Sequence, residues 1–373
     1  MKVGIDSRSA TMHKGSGIGT YTENLVSNLI TNIDSNFDII WTGSYDNKLV
    51  TNKGKIFYAS GKHSLFYETN YIPNLLKREK IDLYHIPQNG MGFPFSWDIN
   101  VVVTIHDLIP YIMPETVGHS YLERFLRDIP NIISASKGII TVSEYSKKDI
   151  LRFFPRYPAD KIYVTPLAAN NNFKPLPSSE CKKYLQNNYN INDPYILYLG
   201  GFSSRKNVLG LIQAFHNISK DLKKTHKLVL GGSLKDEGLL LKEFVHTNGL
   251  ANSIIFTGYL DDKVLPILYN GCEAFVYPSL YEGFGLPPLE AMSCRKPVIT
   301  SNVTSIPEVT LNSAILIDPL NIDELSYSIL TLLNNEDLKE EFSEKGYKRS
   351  LQFSWRQTAI NTFDSYKSIY ETL

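Results

Sequence analysis

Tyr281-Glu282-Gly283-Phe284-Gly285-Leu286-Pro287-Pro288-Leu289-Glu290 follows closely on the aliphatic and aromatic run Ala274–Tyr277. A short apolar run, a loop with two glycines and a helix opened by two prolines make a strand-loop-helix unit. The glycines let the backbone approach a ligand, and the N–H groups at the helix start form an anion site, so a phosphate fits at Gly283, Phe284, Gly285 and Leu286. Glu282 stands at the start of the loop, and Glu290 lies about one turn into the helix. The plain alternative is an ordinary strand-to-helix turn with a carboxylate favoured by the helix dipole. Two glutamates bracketing the glycines favour the ligand site.

The same alternation runs outward in both directions. Strands are expected at 3–5, 37–41, 55–58, 83–86, 101–105, 139–142 and 162–164, and again at 195–199, 227–230, 254–257, 274–277, 298–300 and 314–317. Segments of helical periodicity separate them, the pattern of parallel sheets covered by helices, so the fold class is α/β. Between the two series lie Pro166, Pro175, Pro177 and Asn170-Asn171-Asn172, where a linker between two α/β units is expected, near residues 167–190. At the end of the chain Ala359, Phe363, Tyr366, Tyr370 and Leu373 step by four and three residues, which predicts one apolar helix face that must pack on something.

The length of 373 residues and 43% hydrophobic content suit two domains, each with its own core, and exclude disorder as the main state. Lys plus Arg and Asp plus Glu are both 38, so no overall field draws nucleic acid or an anionic membrane, and an anionic ligand must be held locally. Cys181, Cys272 and Cys294 are odd in number and fit no metal spacing, which predicts a reduced, cytoplasmic protein without a zinc site. The opening residues contain no signal-peptide core of about 7–15 apolar residues, and no run reaches the roughly 18 of a membrane span.

Gly200-Gly201-Phe202-Ser203-Ser204-Arg205-Lys206-Asn207 follows strand 195–199 directly. Adjacent cations at the carboxyl end of a parallel strand can neutralise a diphosphate, whereas Arg-Lys alone is an ordinary surface pair. Gly15-Ser16-Gly17-Ile18-Gly19 offers backbone amides to a phosphate from the first half, but misses the dinucleotide fingerprint because Thr20 stands where a glycine is required. His106-Asp107 closes another strand; a histidine there is as readily structural as catalytic. Ser143 reads as the cap of a helix over 144–152. In that helix Lys147, Lys148 and Arg152 beside Ile150 and Leu151, with Phe153 and Phe154, offer a peripheral contact with the inner membrane surface, although an ordinary amphipathic surface helix is the preferred reading. No P-loop and no Asp-x-Asp triplet occur, so phosphate charge falls to Arg205, Lys206 and backbone amides.

Taken together these residues resemble the retaining family 4 glycosyltransferases, which have the GT-B architecture of two facing Rossmann-like doubly wound domains with a C-terminal crossover helix. The resemblance rests on Gly17-Ile18-Gly19 with Tyr21, His106-Asp107, Val142-Ser143-Glu144, Arg205-Lys206, Thr257-Gly258-Tyr259-Leu260, and Glu282 with Glu290 in the Glu-x7-Glu pattern. It implies an acceptor-side domain over 1–178, a nucleotide-sugar domain over 179–352, and a final segment 353–373 that packs back on the first domain.

The resemblance also implies roles. Glu290 takes the ribose hydroxyls, Glu282 faces the transferred sugar, and Gly283, Phe284, Gly285 and Leu286 give main-chain contacts. Arg205 and Lys206 lie on the diphosphate, and His106 touches the donor sugar near the reacting carbon. Gly17 and Ile18 form the phosphate loop of the first domain, and Gly258, Tyr259 and Leu260 hold the base. Many members carry a further arginine where this chain has Phe202, which puts more of the charge on Arg205. The implied activity is metal-independent, retaining transfer of a hexosyl group from a nucleoside-diphosphate sugar, of UDP-glucose or GDP-mannose type, to a glycan or lipid-linked saccharide. Cell-surface polysaccharide synthesis is the implied setting, with no cofactor beyond the co-substrate and no nucleic-acid partner. A nucleotide-sugar epimerase and a non-catalytic nucleotide- or glycan-binding protein of the same fold are the alternatives.

Overall fold

In the computed structural model all thirteen expected strands form, each within one residue of its expected ends. The structure describes residues 1–35, 37–42, 54–59, 63–95, 98–219, 221–222 and 226–373. It divides into two compact units, one of Met1–Leu167 with Ser354–Leu373 and one of Ala168–Phe353.

The first unit holds β1 (Val3–Asp6), β2 (Phe37–Thr42), β3 (Ile56–Ala59), β4 (Leu83–Ile86), β5 (Val101–Ile105), β6 (Gly138–Thr141) and β7 (Ile162–Val164). They run parallel in the order β3-β2-β1-β4-β5-β6-β7. The second holds β8 (Tyr195–Leu199), β9 (Lys227–Gly231), β10 (Ile254–Gly258), β11 (Ala274–Tyr277), β12 (Val298–Ser301) and β13 (Ile315–Ile317), parallel in the order β10-β9-β8-β11-β12-β13. Every residue of β4, β5, β8 and β11 is buried, which is why these strands read as unbroken apolar runs: helices cover both faces. In each sheet the order reverses once, between β1 and β4 and between β8 and β11. Loops leaving such neighbouring strands part in opposite directions and open a crevice at their carboxyl ends.

The units divide at Leu167, earlier than the boundary expected at 178/179. The intervening segment is bound to the second unit: Phe173 packs edge-on to Tyr269 at 5.6 Å, and Asn270 donates to the Lys174 carbonyl at 3.0 Å and accepts from the Leu176 amide at 2.8 Å.

The last helix, Trp355–Tyr370, is capped by Ser354, whose hydroxyl accepts from the Gln357 amide at 3.1 Å, and it packs against the helix Gly17–Asn32 of the same unit. Its buried face matches the expected one in part: Ala359 and Tyr366 are buried and Phe363 packs edge-on to Phe37 at 6.0 Å. Trp355, Thr358, Ala359, Thr362, Ser365, Tyr366 and Ile369 face inward, while Tyr370 and Leu373 are exposed. Small hydroxyl side chains allow a close approach: Thr358 donates to the Pro166 carbonyl at 2.6 Å and Ser365 to the Asn361 carbonyl at 2.8 Å, while the Thr362 hydroxyl is buried without a hydrogen-bond partner among the described residues. Ile369 lies where a side chain at Gly138 would stand, so that glycine is required by packing. Tyr366 reaches furthest in, and its hydroxyl meets His85 Nδ1 at 2.7 Å.

Candidate active site

At the reversal point of the second sheet, the loop after β8 brings in Arg205 and Lys206, and the loop after β11 brings in Glu282. Four donors converge on a single oxygen, Glu282 Oε1: Lys206 Nζ at 2.6 Å, Arg205 Nη1 at 3.0 Å, Tyr277 OH at 3.0 Å and Ser279 Oγ at 2.5 Å. Lys206 also bonds the Tyr277 hydroxyl at 2.5 Å and lies 5.1 Å from its ring centre, and Arg205 donates to the Tyr281 carbonyl. Burial alone would raise the Glu282 carboxyl, but the charges of Lys206 and Arg205 outweigh it, and with hydrogen bonds from Lys206 and Ser279 hold it down to about 2. The result is an ionised carboxylate bound to two cations, with one net positive charge.

The backbone around Glu282 is pinned from the next loop. Thr304 Oγ1 accepts from the Glu282 amide at 3.2 Å, and Ser305 Oγ donates to the carbonyls of Glu282 and Phe284, both at 2.9 Å. Gly285 caps the helix Leu286–Ser293 at φ +112°, a conformation that favours glycine, and a Cβ there would lie 2.6 Å from Ile306 Cδ1. Because Pro287 and Pro288 have no N–H, the main-chain donors at this helix start are those of Gly285 and Leu286.

Glu290 extends from that helix, and its Oε2 accepts from Tyr269 OH at 2.9 Å. Burial pushes its carboxyl up to about 7, against the Tyr269 hydrogen bond and with a further push from Asp262. The two glutamates of one motif thus titrate in opposite directions, because cations surround only Glu282.

Glycines also end the neighbouring strands. Gly200 donates to the Gly231 carbonyl at 3.0 Å, Gly232 to the Gly258 carbonyl at 3.2 Å, and a Cβ at Gly232 would sit 2.0 Å from the Gly200 oxygen. After Gly258, Leu260 is buried and Tyr259 is 73% exposed. Phe202 turns into the core against Phe256 at 6.0 Å, so the residue in the position of the family's extra arginine carries no charge to the loop.

In the first unit Ser16 caps the helix Gly17–Asn32 by accepting from the Gly19 amide at 3.2 Å, with Gly17 and Ile18 in its first turn. His106 follows β5. Its Nε2 bonds the Pro87 carbonyl at 2.8 Å, and Tyr21 meets its ring edge-on at 4.7 Å. Burial pushes the ring down to about 4, against that hydrogen bond, so it is neutral at pH 7 with its proton on Nε2 and its lone pair on Nδ1. Behind it a buried chain runs from Tyr21 OH to Thr104 Oγ1 at 3.0 Å, on to His85 Nε2 at 2.8 Å, and from His85 Nδ1 to Tyr366.

Ser143 caps the helix Glu144–Phe153 as expected, accepting from the Ser146 amide at 3.0 Å. The apolar residues that a membrane contact would use are committed to the core: Ile150 is buried, and Phe153 and Phe154 pack on Tyr111 at 5.1 and 5.7 Å. Lys147 donates to the Ile162 carbonyl at 2.8 Å. Among the described residues no helix is long and apolar enough to cross a membrane, and no group of three His, Cys, Asp or Glu side chains is gathered as a metal site.

Sequence reading missed Tyr277, Ser279, Tyr269, Thr304 and Ser305. A signal was present for Tyr277, a polar-tipped residue at the carboxyl end of a strand. Nothing local marks Tyr269, Thr304 or Ser305, since only the tertiary fold brings them to the glutamates.

The family described as Glycosyltransferase Family 4 matches residues 15–171, and the one described as Glycosyl transferases group 1 matches residues 183–349. The O-antigen chain mannosyltransferase B of Escherichia coli is 36% identical over 292 residues, 78% of this chain and 76% of that protein. The serotype-specific mannosyltransferase WbdA of Escherichia coli is 30% identical over 275 residues, which are 73% of this chain but 34% of WbdA. Anabaena Alr3699/HepE, solved in complex with UDP-glucose, matches with a TM-score of 0.77 at 17% identity over 99% of this chain and 100% of that one. Sucrose-phosphate synthase from Thermosynechococcus elongatus gives 0.76 at 20% identity over 100% of both chains. These likenesses and the two parallel sheets agree on the fold, and the chain belongs to the family 4 glycosyltransferases, with the GT-B architecture.

Proposed function

We propose that the chain transfers a mannosyl group from GDP-mannose to a hydroxyl of a glycan or lipid-linked saccharide in cell-surface polysaccharide synthesis, with retention at the anomeric carbon and without a metal. The observation that carries the reading is the convergence of Arg205 and Lys206 on Glu282 beside the 283–286 loop. The similarity to mannosyltransferases of O-antigen chains supports mannose over glucose.

In this reading Arg205, Lys206 and the amides of Gly283, Phe284, Gly285 and Leu286 take the diphosphate. They are fixed before the reaction and stabilise negative charge as it develops on the leaving group. Glu290 accepts from the ribose hydroxyls, Glu282 faces the sugar, and Gly258, Tyr259 and Leu260 adjoin the base. For the first unit the family pattern supports His106 as a sugar contact and Gly17 and Ile18 as phosphate donors. The bond from the anomeric carbon to the diphosphate oxygen breaks, the acceptor oxygen bonds to that carbon on the same face, and the acceptor proton passes to a phosphate oxygen.

Thermal unfolding with GDP, UDP, ADP and dTDP, each at about 100 times its dissociation constant, tests the donor, because such binding adds about 2.7 kcal/mol to stability. GDP alone should shift the transition. A shift with UDP alone would overturn the GDP-mannose assignment.

A further inference from the structure

The reversal of strand order between β1 and β4 opens a crevice in the first sheet as well. There the loop after β4 and the helix His119–Ala135 enclose a cavity of about 430 Å3, within the roughly 300–1,000 Å3 of small-molecule sites. No residue given a donor role lines it.

Its walls carry two kinds of group. Phe93 and Phe95 lie with ring centres 4.7 Å apart, with Phe95 53% exposed, and Tyr121 joins them on the helix side. Glu68, Arg124 and Asp128 supply the polar edge. Glu68 is fixed from behind: Arg8 Nη1 donates to its Oε1 at 3.1 Å, and Arg8 forks onto Asp6 through Nε at 2.8 Å and Nη2 at 2.7 Å. Gln88 Nε2 donates to the same Asp6 at 2.8 Å, and Asp6, Arg8 and Gln88 are all buried. A buried ionic chain of this kind adds little stability. Its structural result is one carboxylate held firmly at the cavity wall. On the opposite side Asp128 is oriented by Arg127 Nε at 2.8 Å, and Arg124 Nη2 donates to the Met91 thioether at 3.1 Å, a weak acceptor.

We propose that this cavity binds a terminal pyranose of the acceptor glycan, with its C–H face on Phe93, Phe95 and Tyr121 and its hydroxyls on Glu68, Arg124 and Asp128. A pyranose combines an apolar face with a rim of hydroxyls, and aromatic walls with a few convergent polar groups complement both. A polyprenyl chain would satisfy the rings but would desolvate Arg124, whose acceptor here is a thioether, and the outer faces of the Glu68 and Asp128 carboxylates, and return no hydrogen bond to any of them. The proposal rests on the reading of the chain as a transferase that extends a glycan.

The test measures binding of α-linked mannose, glucose and galactose trisaccharides by ligand-observed NMR to the full chain and to Phe93→Ala and Arg124→Gln. Thermal shifts with GDP and UDP are recorded on the same samples. At least one trisaccharide should bind the parent, and both substitutions should weaken it at least tenfold while the nucleotide shift is kept. Unchanged trisaccharide affinity in Arg124→Gln, an exposed position that does not threaten folding, would overturn the proposal. So would a parent that binds nucleotide but no trisaccharide, or binds only a polyprenyl phosphate in micelles. Trisaccharide binding lost in both variants of a parent that transfers no sugar would uphold the cavity and overturn the transfer reaction instead.

Discussion

Lys206 Nζ lies 2.6 Å from Glu282 Oε1 and 2.5 Å from the Tyr277 hydroxyl, so one cation is held by an anion and a phenol oxygen together. Held in this way, it can meet a diphosphate without first being ordered. Arg205→Ala and Lys206→Ala should each lower turnover by about 10²–10³. Steady-state kinetics on the two variants decide this, and near-normal turnover in both would refute their role.

Glu282→Gln separates binding from chemistry. Removing the carboxylate charge leaves Arg205 and Lys206 un-neutralised, so calorimetry should find a nucleoside diphosphate bound more tightly, by about 1 kcal/mol or more for a charge so close, while turnover falls. Weaker diphosphate binding would show instead that Glu282 orients the two cations for the ligand.

Nucleotide affinity should depend on pH through Glu290. Its carboxyl titrates near 7 in the empty protein, and a ribose diol that donates to it favours the ionised form. Binding therefore releases a proton, and affinity should be level above pH 7 and fall by up to about tenfold per unit below it. Glu290→Gln should abolish the slope in calorimetry from pH 5.5 to 8.5. The stability of the empty protein runs in the opposite sense. A value raised from 4.5 contributes stability that is complete below 4.5 and lost as pH rises through about 7.

Acid should loosen the first unit before it neutralises Glu282. Burial, and the neighbouring His106, push His85 down to about 3, and burial pushes His106 to about 4, both from 6.5. Their neutral rings contribute stability above pH 6.5 that is lost as pH falls through those values. At pH 5 the loss is about 2 kcal/mol from each ring. Tyr366→Phe leaves His85 Nδ1 without its partner, at a cost of about 1–3 kcal/mol. Denaturant unfolding of wild type and variant at pH 7.5 and 5 measures both effects.

Gly285→Ala should displace the 283–286 loop, whose amides are proposed to take the diphosphate. The position has φ +112°, and a methyl group would crowd Ile306. The strain amounts to about 1–3 kcal/mol, so the melting temperature should drop and nucleotide binding should weaken. A variant with normal melting and normal nucleotide affinity would contradict this account of the loop.

The strands were legible because buried parallel strands are continuous apolar runs bounded by glycine and proline, and Ser143 was legible as a cap because its partner amide is three residues away. The inner face of the last helix was legible only at Ala359 and Tyr366. Thr358, Thr362 and Ser365 are polar, yet they are buried where helix and sheet approach closely, while the apolar Tyr370 points outward. Glu282 and Glu290 could be found from their spacing, but not their opposite titration, which depends on Lys206 and Arg205 arriving from the loop after β8 and on the burial of Glu290 by the tertiary fold. The cavity beside Phe93 was invisible for the same reason: Glu68, the 89–95 loop and Arg124 are joined by the order of strands, which no local pattern encodes.

The most direct test is to incubate the protein with GDP-mannose and a mannose-terminated glycan in the presence of EDTA, and to read the new anomeric signal by NMR at early times. The account predicts release of GDP with an α-linked mannose in the product, retained from the donor. A β-linked product, or transfer from UDP-glucose with GDP-mannose left intact, would contradict it.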